Sequence, residues 1–62
     1  MNINPEYTRK TAIAAEIAAA AYAVAGLDGM QAELASLRRT DADAVIIGEL
    51  ERLYHRQIVR GA

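Results

Sequence analysis

Residues 11–39 read TAIAAEIAAAAYAVAGLDGMQAELASLRR, and the fold turns on how this stretch is broken. Its first part, Thr11 to Ala25, is rich in alanine, the strongest helix former. Asn4-Pro5-Glu6 just upstream carries start signals. Asn caps, Pro is tolerated at the first helical position, and Glu suits the positive end of the helix dipole. Glu6 and Lys10 are spaced for a surface pair one turn apart.

Gly26 is the expected stop. Glycine fits the left-handed position after a helix, and Leu27 could then contact Tyr22 as in a Schellman ending. Asp28 followed by Gln31 has capping-box spacing, so a second helix is expected over about 29–39. One alternative stays open. Ile13, Ile17, Ala20, Val24, Leu27, Met30, Leu34 and Leu37 keep helical spacing without a slip, which also suits one unbroken helix from Pro5 to Arg39. Gly26 and Gly29 would cost that helix about 2 kcal/mol relative to alanine. The local stop and start signals favour the break.

Downstream, Thr40 and Asp43 have capping-box spacing, and Asp41 adds charge that the dipole favours. Ile46, Ile47, Leu50, Leu53, Tyr54 and Ile58 form the apolar face of a last helix. Arg52, His55, Arg56 and Arg60 gather toward its C-terminal end, and Gly61 ends it. Met1 to Ile3 is expected to fray. Strand alternation, internal repeats and long linkers are absent. The expected fold is all-α: a small helical hairpin or three-helix unit (about 5–25, 29–39 and 41–60) in a single domain, 1–62.

The core looks thin for a chain of 62 residues. Of its hydrophobic residues, 14 are alanine and 16 are Ile, Val, Leu or Met. Chains this short bury only about 60% of their unfolded surface. With no cysteine, no disulfide can staple the fold, and no Cys/His cluster can hold a structural zinc. Oligomerisation into a helical bundle is the expected remedy.

On a helical wheel, Ile13, Ile17, Ala20, Val24 and Leu27 fall within about 40° of one line. Ala14, Ala15, Ala18, Ala19, Ala21, Tyr22 and Ala25 fill the opposite half, with no charge between Ile17 and Leu27. The large-residue stripe is therefore expected to pack within the chain. The alanine face, centred on Ala14, Ala18, Ala21, Tyr22 and Ala25, is expected to meet a second chain. The plain alternative is that alanine simply forms good helix and tolerates water.

Charge excludes little but disfavours nucleic acid. The net charge is −1, without the basic excess that phosphate binding needs. Arg52, Arg56 and Arg60 line one helix face and are candidates for contact with an anion or an acidic partner. Glu49 and Glu51 beside them favour a solvated face. Arg38-Arg39 before the acidic Asp41 and Asp43 suits the dipoles of two successive helices. A helix-turn-helix match around Ala25, Gly29 and Ala35 is weak, because Asp28 and Arg38 stand where apolar residues belong.

His55 with Glu51 offers two metal ligands at most, and Ser36 is the single serine. Neither forms a recognisable catalytic constellation, so no enzyme activity, metal or cofactor is expected. A signal peptide is disfavoured, although Arg9-Lys10 precede an apolar stretch and Ala23-Val24-Ala25 resembles a cleavage site. Glu16 interrupts that stretch, which is also too poor in Leu and Ile for a membrane span. A cytoplasmic location is the default.

The leading functional expectation is a non-enzymatic protein-interaction protein, a homo-oligomer that binds another protein as adaptor, inhibitor or assembly subunit. Chains of this kind are often encoded by phages or plasmids. Two alternatives stand beside it. One is a dimeric nucleic-acid-binding regulator using Arg52, Arg56 and Arg60. The other is a small-ligand binder whose pocket forms between subunits.

Overall fold

The computed structural model describes residues 4–61, and the expected fray at Met1 to Ile3 lies outside them. Two helices follow one another, α1 over Pro5–Arg39 and α2 over Ala44–Gly61, with no strand among the described residues. The all-α expectation holds.

Helix α1 is continuous in sequence but sharply bent. Ala25 (φ −145°, ψ 20°) and Gly26 (φ 62°, ψ −140°) leave the helical region. Only glycine adopts the Gly26 conformation without strain. A straight helix of 35 residues would be about 52 Å long, yet the longest dimension of the chain is 35 Å. Two limbs result, 5–24 and 27–39. The predicted break is thus real, although the second limb resumes at Leu27 rather than Gly29. Asp28 lies within that limb, exposed, and the expected capping box does not form.

Gly29 shows how closely the limbs approach. A Cβ placed there would sit 2.2 Å from the Ala21 carbonyl oxygen and 3.2 Å from the Ala25 methyl. Gly26 makes the turn, and Gly29 makes room for it to close.

The termini of the helices are well capped. The Asn4 side chain accepts from the Glu6 N–H at 2.9 Å and from the Tyr7 N–H at 3.4 Å. The Schellman ending occurs at the far end of α1, where the Ala42 N–H donates to Leu37 O at 3.0 Å and the Asp41 N–H to Arg38 O at 3.2 Å. Asp41 (φ 55°) takes the left-handed place usually held by glycine. Thr40 belongs to this ending, since its hydroxyl donates to Ser36 O and Leu37 O. It does not start α2. That role falls to Asp43, whose carboxylate accepts from the Val45 N–H at 2.8 Å, so the last helix begins at Ala44 rather than at 41.

The three helical segments run up, down and up. Lys10, near the start of α1, bridges to Asp43 at 2.6 Å, which sets the start of α2 beside the start of the first limb. Arg38 pairs with Glu51 across the second limb and α2. Ala18, Met30, Leu34 and Leu50 form the buried centre, one contribution at least from each segment. Ile17, Ala21, Leu27, Ile47, Leu53 and Tyr54 pack around it. Met30 and Leu50 are the only large side chains fully buried among the described residues. The thin core expected from composition is what forms.

Candidate functional site: an apolar groove at the bend

The burial pattern of the first limb corrects the expected assignment of its faces. Ala14 and Ala18 are buried within the chain, with Ala14 completely inaccessible. They cannot form an intermolecular surface while the chain holds this fold. Ala21 is half-buried against the core. Ala25 and Tyr22 are exposed, Tyr22 at 48%. Conversely, Ile13 is exposed and Val24, expected inside, is 86% exposed. Small side chains let helix backbones come close, so α2 packs its large Leu50 beside Ala18 in the core cluster. The larger stripe is split: Ile17 and Leu27 pack half-buried against the core, while Ile13, Ala20 and Val24 are left facing outward.

The exposed side of that stripe forms one wall of a groove of about 530 Å³. Ile17, Ala20 and Val24 contribute from the first limb, and Gly29 and Ala32 from the second. The bend is what brings the walls together, and no residue of α2 lines the groove. Its charged lining residues are both acidic, Asp28 and Glu33. The lining offers small apolar surface and two carboxylates, and no histidine, serine or cation. Such a concavity can take up bulky apolar groups.

A second hollow of about 390 Å³ lies between the first limb and α2, with Tyr22, Leu53 and Gln57 on its walls. It is smaller and joins the flank of the core at Met30.

The arginine face is only partly available. Arg52 Nε donates to Glu49 Oε1 at 2.6 Å, and this carboxylate raises the guanidinium pKa further above its ordinary value. Arg56 and Arg60 are exposed and make no ion pair among the described residues. The Arg52 side chain is thus paired within its own helix, as the neighbouring glutamates suggested. His55 is exposed beside Tyr54, their ring centres 6.0 Å apart. Groups of three or more His, Cys, Asp or Glu that could share a metal do not occur among the described residues. The weak helix-turn-helix match loses its geometry, because the turn is at Ala25-Gly26 and Gly29 sits inside a helix.

By length and composition α1 is apolar enough to cross a membrane. Here the bend divides it, and its first limb carries Glu6, Arg9, Lys10 and Glu16.

Fold and surface together define a bent helical hairpin with an open apolar groove on the face that α2 does not cover. Comparison with protein-family models, with curated proteins and with solved structures finds no match.

Proposed function

We propose that the chain is a non-enzymatic protein-interaction module, an adaptor, inhibitor or assembly subunit that works by packing helices. The observation that carries this reading is the groove at the bend, with Val24 at 86% exposure on its wall. A monomer with two large side chains fully buried has little stability to spare for an idle apolar surface. Contiguous apolar concavities on small proteins mark places where something else packs. Homo-oligomerisation and capture of another protein both fit, and the same surface serves either.

The working surface in this reading is the groove wall Ile17, Ala20, Val24 and Ala25, with exposed Ile13 beyond it, in place of the buried Ala14 and Ala18. The test is capture from native host extract by the wild type and by Val24→Asp, with the mass of each complex measured. The reading expects a defined complex, with itself or with another protein, that Val24→Asp abolishes while keeping its helicity. A wild type that stays monomeric and retains nothing beyond what the variant retains would overturn it.

A further inference from the structure

The groove also says what kind of partner it fits. Just over half of its lining is alanine and glycine, with Ile17 and Val24 as the large apolar residues and Asp28 and Glu33 as the polar ones. Small walls leave the bulk to be supplied by the occupant. They lie on two helical limbs that meet at an angle, the setting in which another helix lays down an apolar ridge. The charges in the lining are Asp28 and Glu33, with no cation beside them. Three of the basic residues are engaged, and Arg56 and Arg60 lie on α2, which does not line the groove; Arg9 and Arg39 are exposed on the two limbs, outside the lining. Lys10 is held by Glu6 and Asp43, Arg38 by Glu51, and Arg52 by Glu49.

We infer that the groove binds an amphipathic helix of another protein, with bulky aliphatic side chains along one stripe and Lys or Arg flanking it. This rests on the reading of the chain as an interaction module. The aliphatic stripe fills the hollow between Val24 and Ala32. The flanking cations meet Asp28 and Glu33, which fix the orientation of the helix and reject partners with acidic flanks. A second copy of this chain fits less well. Two grooves placed face to face would bring Asp28 and Glu33 of both copies together, with no cation in either lining. The exposed arginines of α2 lie on an element that contributes nothing to the groove, so the lining itself supplies no cation to reciprocate within one closed pair.

The test uses two synthetic helical peptides with the same leucine stripe, one flanked by lysine and one by glutamate, labelled for fluorescence anisotropy with the full chain. The lysine-flanked peptide should bind at least about tenfold more tightly than the glutamate-flanked one, the gap shrinking with added salt. Asp28→Asn with Glu33→Gln should weaken the lysine-flanked peptide about threefold to tenfold, as expected for two exposed ion pairs. Val24→Asp should weaken both peptides. Arg56→Ala, remote from the groove, should change neither.

Equal binding of the two peptides, or no binding of either, overturns the inference. So does self-association that excludes the peptides. If a complex sensitive to Val24→Asp still forms in host extract, only the partner chemistry has failed and the interaction reading stands. If that complex is missing too, both fall.

Discussion

Three glycines in this chain differ in what surrounds them, and alanine substitution at each separates backbone geometry from space. Gly48 lies within α2 with nothing near its Cβ position. Alanine there gains helix propensity without penalty, so Gly48→Ala should stabilise the fold by about 0.5–1 kcal/mol. Gly29 is also helical and should gain the same. Its new methyl, however, would lie 2.2 Å from the Ala21 carbonyl oxygen, a backbone atom with no flexible escape. The limbs must part by about 1 Å to restore ordinary contact. That movement strains the packing around Met30 and Leu34, at a typical overpacking cost of about 1–3 kcal/mol.

The propensity gain is common to both sites, so the difference between the two variants isolates the collision. For a domain of this size it corresponds to a gap in Tm of about 5–20 °C, Gly29→Ala below Gly48→Ala. Thermal and urea unfolding followed by far-ultraviolet circular dichroism measures it. Gly26 completes the series. Its surroundings are open, so Gly26→Ala meets only backbone strain at φ 62°, about 1–3 kcal/mol. A D-alanine at this position, accessible by chemical synthesis, favours positive φ and should stabilise the chain instead. If Gly29→Ala stabilises as much as Gly48→Ala, the limbs do not approach at Ala21 and the bend is wrong.

Other expectations follow from the packing and the ion pairs. Leu50→Ala should cost about 2–5 kcal/mol, enough to unfold most of so small a domain at 25 °C, as read by circular dichroism. Asp41→Gly should raise stability by about 0.5–1 kcal/mol in urea unfolding, because glycine holds the left-handed position at less steric cost. Hydrogen bonds from Lys10 and from the Val45 N–H lower the Asp43 pKa below its ordinary 3.8. Its contribution to stability is therefore complete above that ordinary value and lost as the pH falls through the depressed one. Lys10 is raised above 10.5 by Asp43 first and Glu6 second, so its contribution is complete below that pH and lost on passing the raised value. Melting temperatures between pH 2 and 6 should fall toward acid. Asp43→Asn, which keeps a capping oxygen, should flatten the fall, and an unchanged profile would contradict the Lys10–Asp43 bridge.

Much of the fold is legible in local signals. Asn4-Pro5 starts α1 because both residues act within one turn of themselves. Gly26 breaks it because the backbone there needs a conformation only glycine provides. The apolar face of α2 is visible in its period. The signals that misled were those with two competent residues close together. Thr40 and Asp43 both suit a cap, and the Schellman bonds to Asp41 and Ala42 claim Thr40 for the preceding helix. Asp28 lost its expected role because the chain had already turned two residues earlier.

The site was only half legible. The first limb does carry two apolar faces, and the chain does cover just one. Which one is covered depends on α2, not on the limb. A wheel ranks faces by side-chain size and therefore sent Ile13 and Val24 inward. Helix pairs that pack closely reward small residues on one partner and large ones on the other, and Leu50 clustered with Ala18 follows that rule. The groove itself needs the angle at the bend, which no periodicity encodes. The second glycine, Gly29, was the available clue, since a helical glycine marks a place where another backbone comes close.

The central claim is that Val24 and its groove are the working surface, open in the isolated chain and covered in its assembled state. The chain has no cysteine, so Val24→Cys gives a single thiol on the groove wall. Its alkylation rate can be compared between the dilute free chain and the complex recovered from host extract. Val59→Cys, at a position 74% exposed on α2, is the control. The account predicts that the residue 24 thiol reacts freely in the isolated chain and at least about tenfold more slowly in the complex, while the residue 59 thiol stays fast in both. Equal rates at residue 24 in the free and assembled states would contradict it.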